Sequence, residues 1–397
     1  MDLALPGQLV TYDYRDTNTS TEAVEIPRSL RVVQWNIERG YHLEAVISVL
    51  RDLDADILCL QEIDIGNQRS GGGNHGQIIA ERLQLNGTVA IEFQELFSPC
   101  RHAAQQGGGI HGNAIFSKFD MVYRIIDHEH QPYNWQRDGA LLGEPRVGRR
   151  CTLVAEVAVP RRPPLLAYSA HFECFTGIIG RVGQLCDLLR DSSENTERFP
   201  HQLIFGDFNT FAHSLARFSP AYSNGWYRFR TIGMTEPEWW MKNILSWYPE
   251  DGCRNGRLDN EKLPDNIRFS EQILSSAVNP GWWDPFDAAK DATISSYGGM
   301  MTAKADWAFV RQFKVVKHWM TNRNFAVADH RCLVLEVDYA RPDIVDEHKR
   351  RTRQAVHELE QRRRSKVWTS CSLLAALALS FVAIRIARAN TSSHITH

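Results

Sequence analysis

The fold class is indicated first by one short segment, Leu30-Arg31-Val32-Val33-Gln34-Trp35-Asn36. Its apolar and aromatic residues predict a buried β-strand that ends at a polar amide. Leu43 to Leu50 follows it, with apolar side chains at helical spacing. Asp56 to Glu62 is a second short apolar run, and it also ends in a polar group. This part of the chain therefore predicts a strand, a helix and a strand, with a polar side chain at the end of each strand.

The alternation of strands and helices continues along the body of the chain. The turn at Arg161-Arg162-Pro163-Pro164 joins two predicted strands as a hairpin does, and strands outnumber helices, so a purely parallel sheet is not expected. The pattern predicts an α/β (α+β) fold in which mixed sheets pack together with helices outside them. The further predicted elements are the helices His75 to Leu85 and Arg181 to Leu189, and the strands Asn113 to Ser117, Cys151 to Val159, Leu165 to His171, Gln202 to Asp207, Ala305 to Val310 and Cys332 to Val337.

Polar side chains recur where the predicted strands end. An unpaired buried carboxylate or imidazole is costly, so the repetition requires one shared explanation. Strand ends that converge at one open edge of a sandwich supply it, and carboxylate and amide oxygens suit a hard cation such as Mg²⁺. Because no Cys joins the set, zinc is not favoured. The residues in question are Asn36, Glu62, His171, Asp207, Asn209, Asp306, Asp329 and His330.

Seven short motifs between Leu30 and Tyr339 stand in a fixed order along the chain. They are Gln34-Trp35-Asn36-Ile37, Leu60-Gln61-Glu62, Gly112-Asn113-Ala114-Ile115-Phe116-Ser117, Ala170-His171-Phe172-Glu173, Gly206-Asp207-Phe208-Asn209, Lys304-Ala305-Asp306-Trp307 and Ala328-Asp329-His330. In this order the motifs resemble the endonuclease/exonuclease/phosphatase superfamily, the DNase I-like phosphohydrolases. The resemblance implies a four-layer sandwich, in which helices flank two packed mixed β-sheets, and an enzyme that hydrolyses phosphate esters. Ala328 departs from the pattern, since many members carry a non-catalytic Ser there.

The resemblance also implies metal and catalytic roles for the matching residues. Glu62 is similar to the principal Mg²⁺ ligand, with Asn36 and Asp329 nearby, and Mn²⁺ is the alternative ion. Asp207 would orient or deprotonate the attacking water, and Asn209 would donate a hydrogen bond to the phosphate.

The remaining matches concern the phosphate and the leaving group. His330 would contact a phosphate oxygen, with Asp306 fixing its tautomer and stabilising its charged form. His171 would bind or protonate the leaving-group side. Asn113 and Arg181 would support substrate binding.

The charge of the chain is distributed unevenly, although its 397 residues carry a formal net charge of only −2. Residues 1–340 contain 34 Lys and Arg against 42 Asp and Glu, whereas residues 341–397 contain 11 against 5. An acidic body is a poor electrostatic match for non-specific binding to nucleic acid. The 43% apolar and 23% charged content excludes wholesale disorder. The eight scattered cysteines, which form no C-x-x-C pair, predict free thiols.

The C-terminal region predicts a membrane anchor. Val367 to Ile384 is a run of eighteen uncharged residues, which would span about 27 Å as a helix. Many more basic residues precede this run than follow it, so we expect the preceding domain to face the cytosol. The alternative is an amphipathic surface helix or a helix packed on the body. The predicted segments are an N-terminal extension at 1–29, a catalytic domain at 30–340, a basic stalk at 341–366 and a transmembrane tail anchor at 367–386.

The function that these features favour is a membrane-anchored, Mg²⁺-dependent phosphoesterase acting on a phospholipid headgroup or a phosphorylated small molecule. Tethering to a membrane would raise the local concentration of such a substrate. An anchored nuclease or deadenylase acting on RNA or DNA is the alternative, since basic residues such as Arg146 and Arg150 can cluster in space. An inactive fold used as an interaction module is the remote alternative. The tryptophans from Trp226 to Trp307 are expected mainly to pack.

Overall fold

A computed structural model describes residues 3–16, 29–252, 264–296, 299 and 301–365 of the chain. The chain divides into two compact units, residues 1–349 and residues 350–397. In the second unit, the described residues 350–365 are helical. Within the described ranges, no helix has the length and apolar character needed to cross a membrane. The predicted anchor at 367–386 lies outside these ranges and stays a prediction.

The larger sheet of the first unit has eight strands in the order β1-β4-β5-β3-β2-β15-β14, with β7 paired to β4. Its pairs are antiparallel except for β2 and β3, which are parallel. Residues that the sequence assigned to an N-terminal extension supply its edge strand β1. The strands are β1 (Leu9–Asp13), β2 (Leu30–Asn36), β3 (Ile57–Ile65), β4 (Asn86–Glu95), β5 (Ile110–Ser117), β7 (Arg146–Gly148), β14 (Phe313–Thr321) and β15 (Cys332–Tyr339).

The smaller sheet has five strands in the order β13-β10-β9-β8-β6, and β9 and β10 are its parallel pair. A separate two-stranded ribbon joins β11 to β12. The strands are β6 (Asp120–Asp127), β8 (Cys151–Ala158), β9 (Leu165–His171), β10 (Gln202–Asp207), β11 (Ile294–Ser296), β12 (Met301–Ala303) and β13 (Asp306–Arg311). Both sheets are therefore mixed, as the sequence predicted.

The described helices connect the strands and cover the sheets. Parallel neighbours require a crossover connection, and a helix supplies it in both sheets: α1 joins β2 to β3, and α4 joins β9 to β10. Residues 343–349, at the end of the first unit, are also helical. The helices are α1 (Leu43–Leu53), α2 (His75–Leu83), α3 (Trp135–Asp138), α4 (Ile178–Glu194), α5 (Glu236–Trp240) and α6 (Asp265–Ser276).

Successive side chains of a strand point to opposite faces of its sheet, and this alternation produces three apolar layers. Val32 of β2 packs between the two sheets with Leu203 of β10, whereas the next residue, Val33, packs on the other face against Ile47 of α1. On the smaller sheet, Leu166 of β9 packs in the same way on the outer face with residues of α4 and α6. Two packed mixed sheets with helices on their outer faces are what the resemblance implied.

The Trp-rich segment belongs mostly to the core. Trp239, Trp240, Trp282 and Trp307 are buried in the apolar layer outside the smaller sheet. Packing is therefore the main role of these side chains, as predicted. Trp226, in contrast, is 63% exposed.

Strands β4 and β5 approach each other closely at Gly112 of β5, and a substitution there tests this packing. A β-carbon at this position would lie 1.9 Å from the carbonyl oxygen of Ala90, so two backbones would have to separate. We expect Gly112→Ala to lower the free energy of unfolding by about 2 kcal/mol, measured by urea denaturation. The matched control is Gly73→Ala, whose nearest neighbour is the flexible Cδ1 of Ile78 at 3.3 Å, and it should change stability by less than about 0.5 kcal/mol. Equal stability of the two variants would contradict the close packing of the strands.

Candidate active site

A cavity of about 330 Å³ lies where the two parallel strand pairs end. β2 ends at Asn36, β9 at His171 and β10 at Asp207, and the register pairs Asp207 with both His171 and Asp306. Crossover helices align the carboxyl ends of parallel strands at one edge, which is where α/β sheets usually bind ligands. The cavity is lined by seven of the predicted site residues, namely Asn36, Glu62, His171, Asp207, Asn209, Asp329 and His330.

A buried chain of polar groups runs from Asp306 through His330 to Asp207. His330 Nδ1 lies 2.7 Å from Asp306 Oδ2, and His330 Nε2 lies 3.7 Å from Asp207 Oδ2. Gln34 Nε2 donates to the other oxygen of Asp306 at 2.8 Å. Asp306 is fully buried behind His330 and does not line the cavity, so it can act on a substrate only through that imidazole.

The protonation states of His330 and Asp207 follow from burial and from the neighbouring charges. Burial opposes a charge on His330, but Asp306, Asp207 and Asp329 outweigh burial and raise the pKa of the imidazole well above its ordinary value. Burial raises the pKa of Asp207 to about 6, against the opposing effect of the His330 charge. A cationic imidazole is therefore held between two carboxyl groups at neutral pH.

His171 has the opposite protonation state. Burial, and then the positive charge of Arg150, lower the pKa of this imidazole well below its ordinary value. Its Nε2 lies 3.4 Å from Asp207 Oδ2, and its buried Nδ1 has no hydrogen-bond partner. His171 and His330 thus differ in charge, although the Nε2 atoms of both lie near the same oxygen of Asp207, at 3.4 and 3.7 Å.

Asn36 and Asn209 hold Asp207 in place. Asn36 Nδ2 donates to Asp207 Oδ2 at 3.0 Å, and the backbone N–H of Asn209 donates to Oδ1 at 2.9 Å. Asn209 has φ of 52°, a left-handed conformation that Asn tolerates better than most residues. Its Nδ2 donates to the carbonyl oxygen of Phe172, which leaves one amide N–H available for a ligand.

Amide side chains tie the larger sheet to the smaller one around this cavity. In addition to Gln34 and Asn36, Gln61 Nε2 donates to Ser169 Oγ at 3.1 Å. Asn113 Nδ2 donates to the carbonyl oxygen of Cys151 at 3.4 Å. Amides suit this place because they donate hydrogen bonds without adding a charge to a buried interface.

Glu62 enters the cavity through an irregular strand. The register of β3 against β5 shifts between Leu60 and Ile63, and Glu62 has φ of 65°. Such a bulge redirects a side chain, and the left-handed backbone of a non-glycine residue is strained. Arg39 Nε lies 3.8 Å from Glu62 Oε2. Burial would raise the pKa of Glu62, but Arg39 and other positive groups outweigh it, so the pKa is lowered.

The predicted metal ligands fit a hard divalent cation. Glu62, Asp329 and Asn36 offer only oxygen atoms that suit Mg²⁺. Burial, and then the nearby Asp329, raise the pKa of Glu38, and burial raises that of Asp329 with a further contribution from Glu62. A divalent cation at these carboxylates would relieve their mutual repulsion.

A second acidic set also lies within reach of one ion. Asp207, Asp306 and His330 have ligand atoms within 4.8 Å of one another, the one such set among the described His, Cys, Asp and Glu residues. Both oxygens of Asp306 already accept hydrogen bonds, from Gln34 and from His330. We therefore interpret Asp306 and His330 as a hydrogen-bonded pair beside Asp207, and place the candidate metal site at Glu62, Asp329 and Asn36.

Asn113 and Arg181 do not line the cavity. Arg181 is fully buried and forms a bidentate ion pair with Glu236, with nitrogen–oxygen distances of 3.0 and 2.8 Å. Its guanidinium also lies 5.4 Å from the ring centre of Phe211, a residue that does line the cavity. The contacts of Arg181 support the wall of the site from behind, and its predicted contact with substrate stays a prediction.

Several cavity residues were not among those predicted, namely Arg39, His111, Trp135, Arg146 and Arg150. His111 precedes the predicted residue Asn113 by two positions on one strand, but Asn113 itself does not line the cavity, so this spacing was no signal for His111. Arg39 had no signal either, since a short turn with φ of 57° positions it. For Arg146 and Arg150, the sequence indicates only that they can cluster in space with other basic residues.

Arg146 and Arg150 are buried and paired, unlike the arginines of an open basic groove. Each is only 4% exposed. Arg150 donates to Glu92 Oε2 at 2.9 Å, and Arg146 contacts Glu144 and lies 4.0 Å from the ring centre of Trp135. The Nε–H of each guanidinium lacks a hydrogen-bond partner. These two side chains bring donors, but little uncompensated charge, to the cavity wall.

The family model described as the Endonuclease/Exonuclease/phosphatase family matches residues 33–330 of the sequence. An endonuclease/exonuclease/phosphatase structure from Beutenbergia cavernae is 15% identical, with a TM-score of 0.44 over 79% of this chain and 72% of that one. The human Nocturnin catalytic domain with bound sulfate is 16% identical, with a TM-score of 0.43 over 85% and 100%. A mannosyl-6-phosphatase from Bacteroides thetaiotaomicron is 13% identical, with a TM-score of 0.41 over 78% and 100%. No curated protein matches the sequence.

The interaction between Asp306 and His330 can be tested by titration. Asp306→Asn removes the strongest influence that favours the charged imidazole, while burial continues to oppose the charge. We expect the pKa of His330 to fall in the metal-free protein, measured by NMR of the imidazole resonances. Asp120→Asn, at a carboxylate whose side chain is 81% exposed on β6, is the control and should leave this pKa unchanged. A pKa that stays high in Asp306→Asn would contradict the assigned ion pair.

Proposed function

Because this chain belongs to the endonuclease/exonuclease/phosphatase family, we propose that it is a metal-dependent hydrolase of phosphate esters. The observation that carries the proposal is the buried chain from Asp306 through His330 to Asp207, which ends in a cavity beside the carboxylates Glu62 and Asp329. This arrangement supplies a base, a cationic hydrogen-bond donor and candidate metal ligands in one place.

Asp207 is the group best suited to act as the base. Its hydrogen bonds to Asn36 and Asn209 fix the carboxylate, and its pKa of about 6 keeps it ionised at neutral pH yet more basic than an exposed Asp. It can therefore orient a water molecule and accept its proton as the water attacks phosphorus.

His330 and His171 would act on the phosphate and the leaving group. The protonated Nε2 of His330 can donate a hydrogen bond to a phosphate oxygen, while Asp306 holds the ring through Nδ1. His171 is neutral, with its Nε2 3.4 Å from Asp207 Oδ2, and it would bind the leaving group. The remaining N–H of Asn209 is a further donor for the phosphate.

Glu62, Asp329 and Asn36 would hold the divalent cation, with Mg²⁺ as the favoured ion and Mn²⁺ as the alternative. When bound, such a cation neutralises the charge of the non-bridging oxygens that repels an attacking water. The Arg39 guanidinium, 3.8 Å from Glu62, favours the ionised form of that carboxylate that a cation requires.

The substrate that we favour is a phospholipid headgroup or a phosphorylated small molecule. The acidic composition of residues 1–340 supports this choice, because a polyanion would be repelled by the body of the protein. The pairing of Arg146 with Glu144, and of Arg150 with Glu92, also argues against an uncompensated basic groove for RNA or DNA.

Separate roles for Asp207 and Glu62 predict separate kinetic defects. Asp207→Asn should lower kcat about 10²–10⁴-fold at saturating Mg²⁺, because the base is lost. Glu62→Gln should instead raise the Mg²⁺ concentration needed for half-maximal activity, because the ligand loses its charge. Activity is measured on phosphate monoesters and diesters with Mg²⁺, with Mn²⁺ and with a chelator, and Asp120→Asn is the control. Full activity of Asp207→Asn, or activity in the chelator, would contradict the proposed mechanism.

Membrane attachment through residues 367–386 is a separate proposal, supported by the eighteen uncharged residues and the basic residues that precede them. A chain that ends at Lys366 should stay in the supernatant after ultracentrifugation, whereas the full chain should pellet with membranes and resist extraction by alkaline carbonate. The truncated chain should keep its activity on soluble phosphate esters, which serves as the folding control. Equal pelleting of both chains would show that the anchor is not there.

A further inference from the structure

A second cavity, of about 280 Å³, adjoins the candidate active site. The two cavities share Phe211, Tyr222 and Met301 in their walls. Phe211 follows Asn209 by two residues, and its backbone N–H donates to the Asn209 carbonyl oxygen at 2.9 Å. The shared wall is thus built directly onto the loop that positions Asp207.

The lining of the second cavity is mainly apolar. Leu215, Ala216 and Met301 supply aliphatic surface, and Phe211 and Tyr222 supply aromatic surface. The polar members of the lining are His213, Ser214, Ser219 and Thr302, and none of the described lining residues is Lys, Arg, Asp or Glu. The active-site cavity, by contrast, is lined by several charged side chains. A ligand that spans both cavities would therefore combine a charged end with an uncharged end.

Large apolar side chains are also exposed on the segments around this second cavity. Leu215, one of its lining residues, is 72% exposed, and Phe218 and Trp226 on neighbouring turns are 71% and 63% exposed. Arg217 ties these turns together by donating to the carbonyl oxygens of Arg228 and Thr231. Apolar surface that is held in place and left open usually serves a binding function.

We propose that this second cavity binds the apolar part of the substrate, an alkyl or acyl chain attached to the phosphate that the active-site cavity binds. The inference rests on the proposed phosphoesterase function and narrows its substrate class to phosphate esters with an aliphatic chain. The polar and apolar cavities share Phe211, Tyr222 and Met301 in their walls, so the alkyl or acyl chain would lie next to the phosphate.

An aliphatic chain fits the cavity better than a nucleobase does. The rings of Phe211 and Tyr222 are inclined by 71°, with centroids 5.7 Å apart, so they cannot enclose a flat base between parallel faces. A nucleotide chain would also need cations for its further phosphates, and the described lining residues supply none.

The experiment measures binding of linear alkylphosphonates with two to eight carbons to the full chain, by isothermal titration calorimetry with Mg²⁺. Phosphonates carry the charged group but contain no ester bond, so turnover does not interfere. Each added methylene should lower the Kd about four-fold until the cavity is filled. A 5′-nucleoside phosphonate should bind no better than the ethyl compound.

Leu215→Glu places a charge in the cavity wall at an exposed position, so it should preserve the fold. It should abolish the dependence on chain length and leave the Kd of ethylphosphonate within about two-fold, while Leu215→Met should retain the dependence. The matched control is Val122→Glu, at an apolar residue of β6 that is 67% exposed and lines neither cavity, and it should behave like the wild type.

The outcomes separate this inference from the function on which it rests. If ethylphosphonate and octylphosphonate bind equally well, the second cavity does not bind the alkyl chain, whereas the proposed phosphate site is still supported. The same conclusion follows if Leu215→Glu keeps the full dependence on chain length, or if the nucleoside phosphonate binds more tightly than the octyl compound. If no phosphonate binds with Mg²⁺, the proposed phosphate site fails and the subsite fails with it.

Discussion

The structure depends on hydrogen bonds that cross between the two sheets at their polar edge. Gln34 and Asn36 of the larger sheet donate to Asp306 and Asp207 of the smaller one, and Gln61 donates to Ser169. Each of these two buried carboxyl groups has one oxygen that accepts from an amide of the other sheet, and a buried carboxyl oxygen without a donor is costly. The amides satisfy these oxygens without adding charge. The same contacts connect one sheet to the other beside the cavity and orient the two carboxyl groups.

Each sheet contributes to this edge through one parallel strand pair. A crossover helix aligns the carboxyl ends of β2 and β3, and another aligns those of β9 and β10, so polar residues distant in sequence come together. Regular strands do not complete the arrangement. The left-handed backbone of Glu62 and of Asn209 brings a carboxylate and an amide into positions that an undistorted strand end would not reach. The stability of the two sheets sustains this local strain.

The surroundings of the cavity divide its wall into regions of different chemistry. Carboxylates and a cationic imidazole lie at the strand ends, and buried arginines paired with glutamates form another side. Beyond Phe211 and Tyr222 the lining becomes apolar. This division, with charge in the first region and apolar surface in the last, is the basis for the amphiphilic phosphate ester that we propose as substrate. An uncompensated basic groove, which a nucleic acid would require, is not what the pairing of Arg146 and Arg150 provides.

The sequence by itself indicated the family through the order of its motifs. It also predicted the mixed character of the sheets and seven of the twenty residues that line the cavity, because apolar runs that end in polar groups are local signals. The strands Leu165–His171 and Gln202–Asp207 have the predicted bounds for this reason. Edge strands such as β6 and β14, which are only partly buried, carried a weaker pattern and were missed. Only the tertiary structure separated Asp306 from the cavity and gave Arg181 its partner Glu236. It also placed Arg39 and Arg150 in the wall. Partners, burial and charge balance arise from contacts between distant segments, which no local pattern encodes.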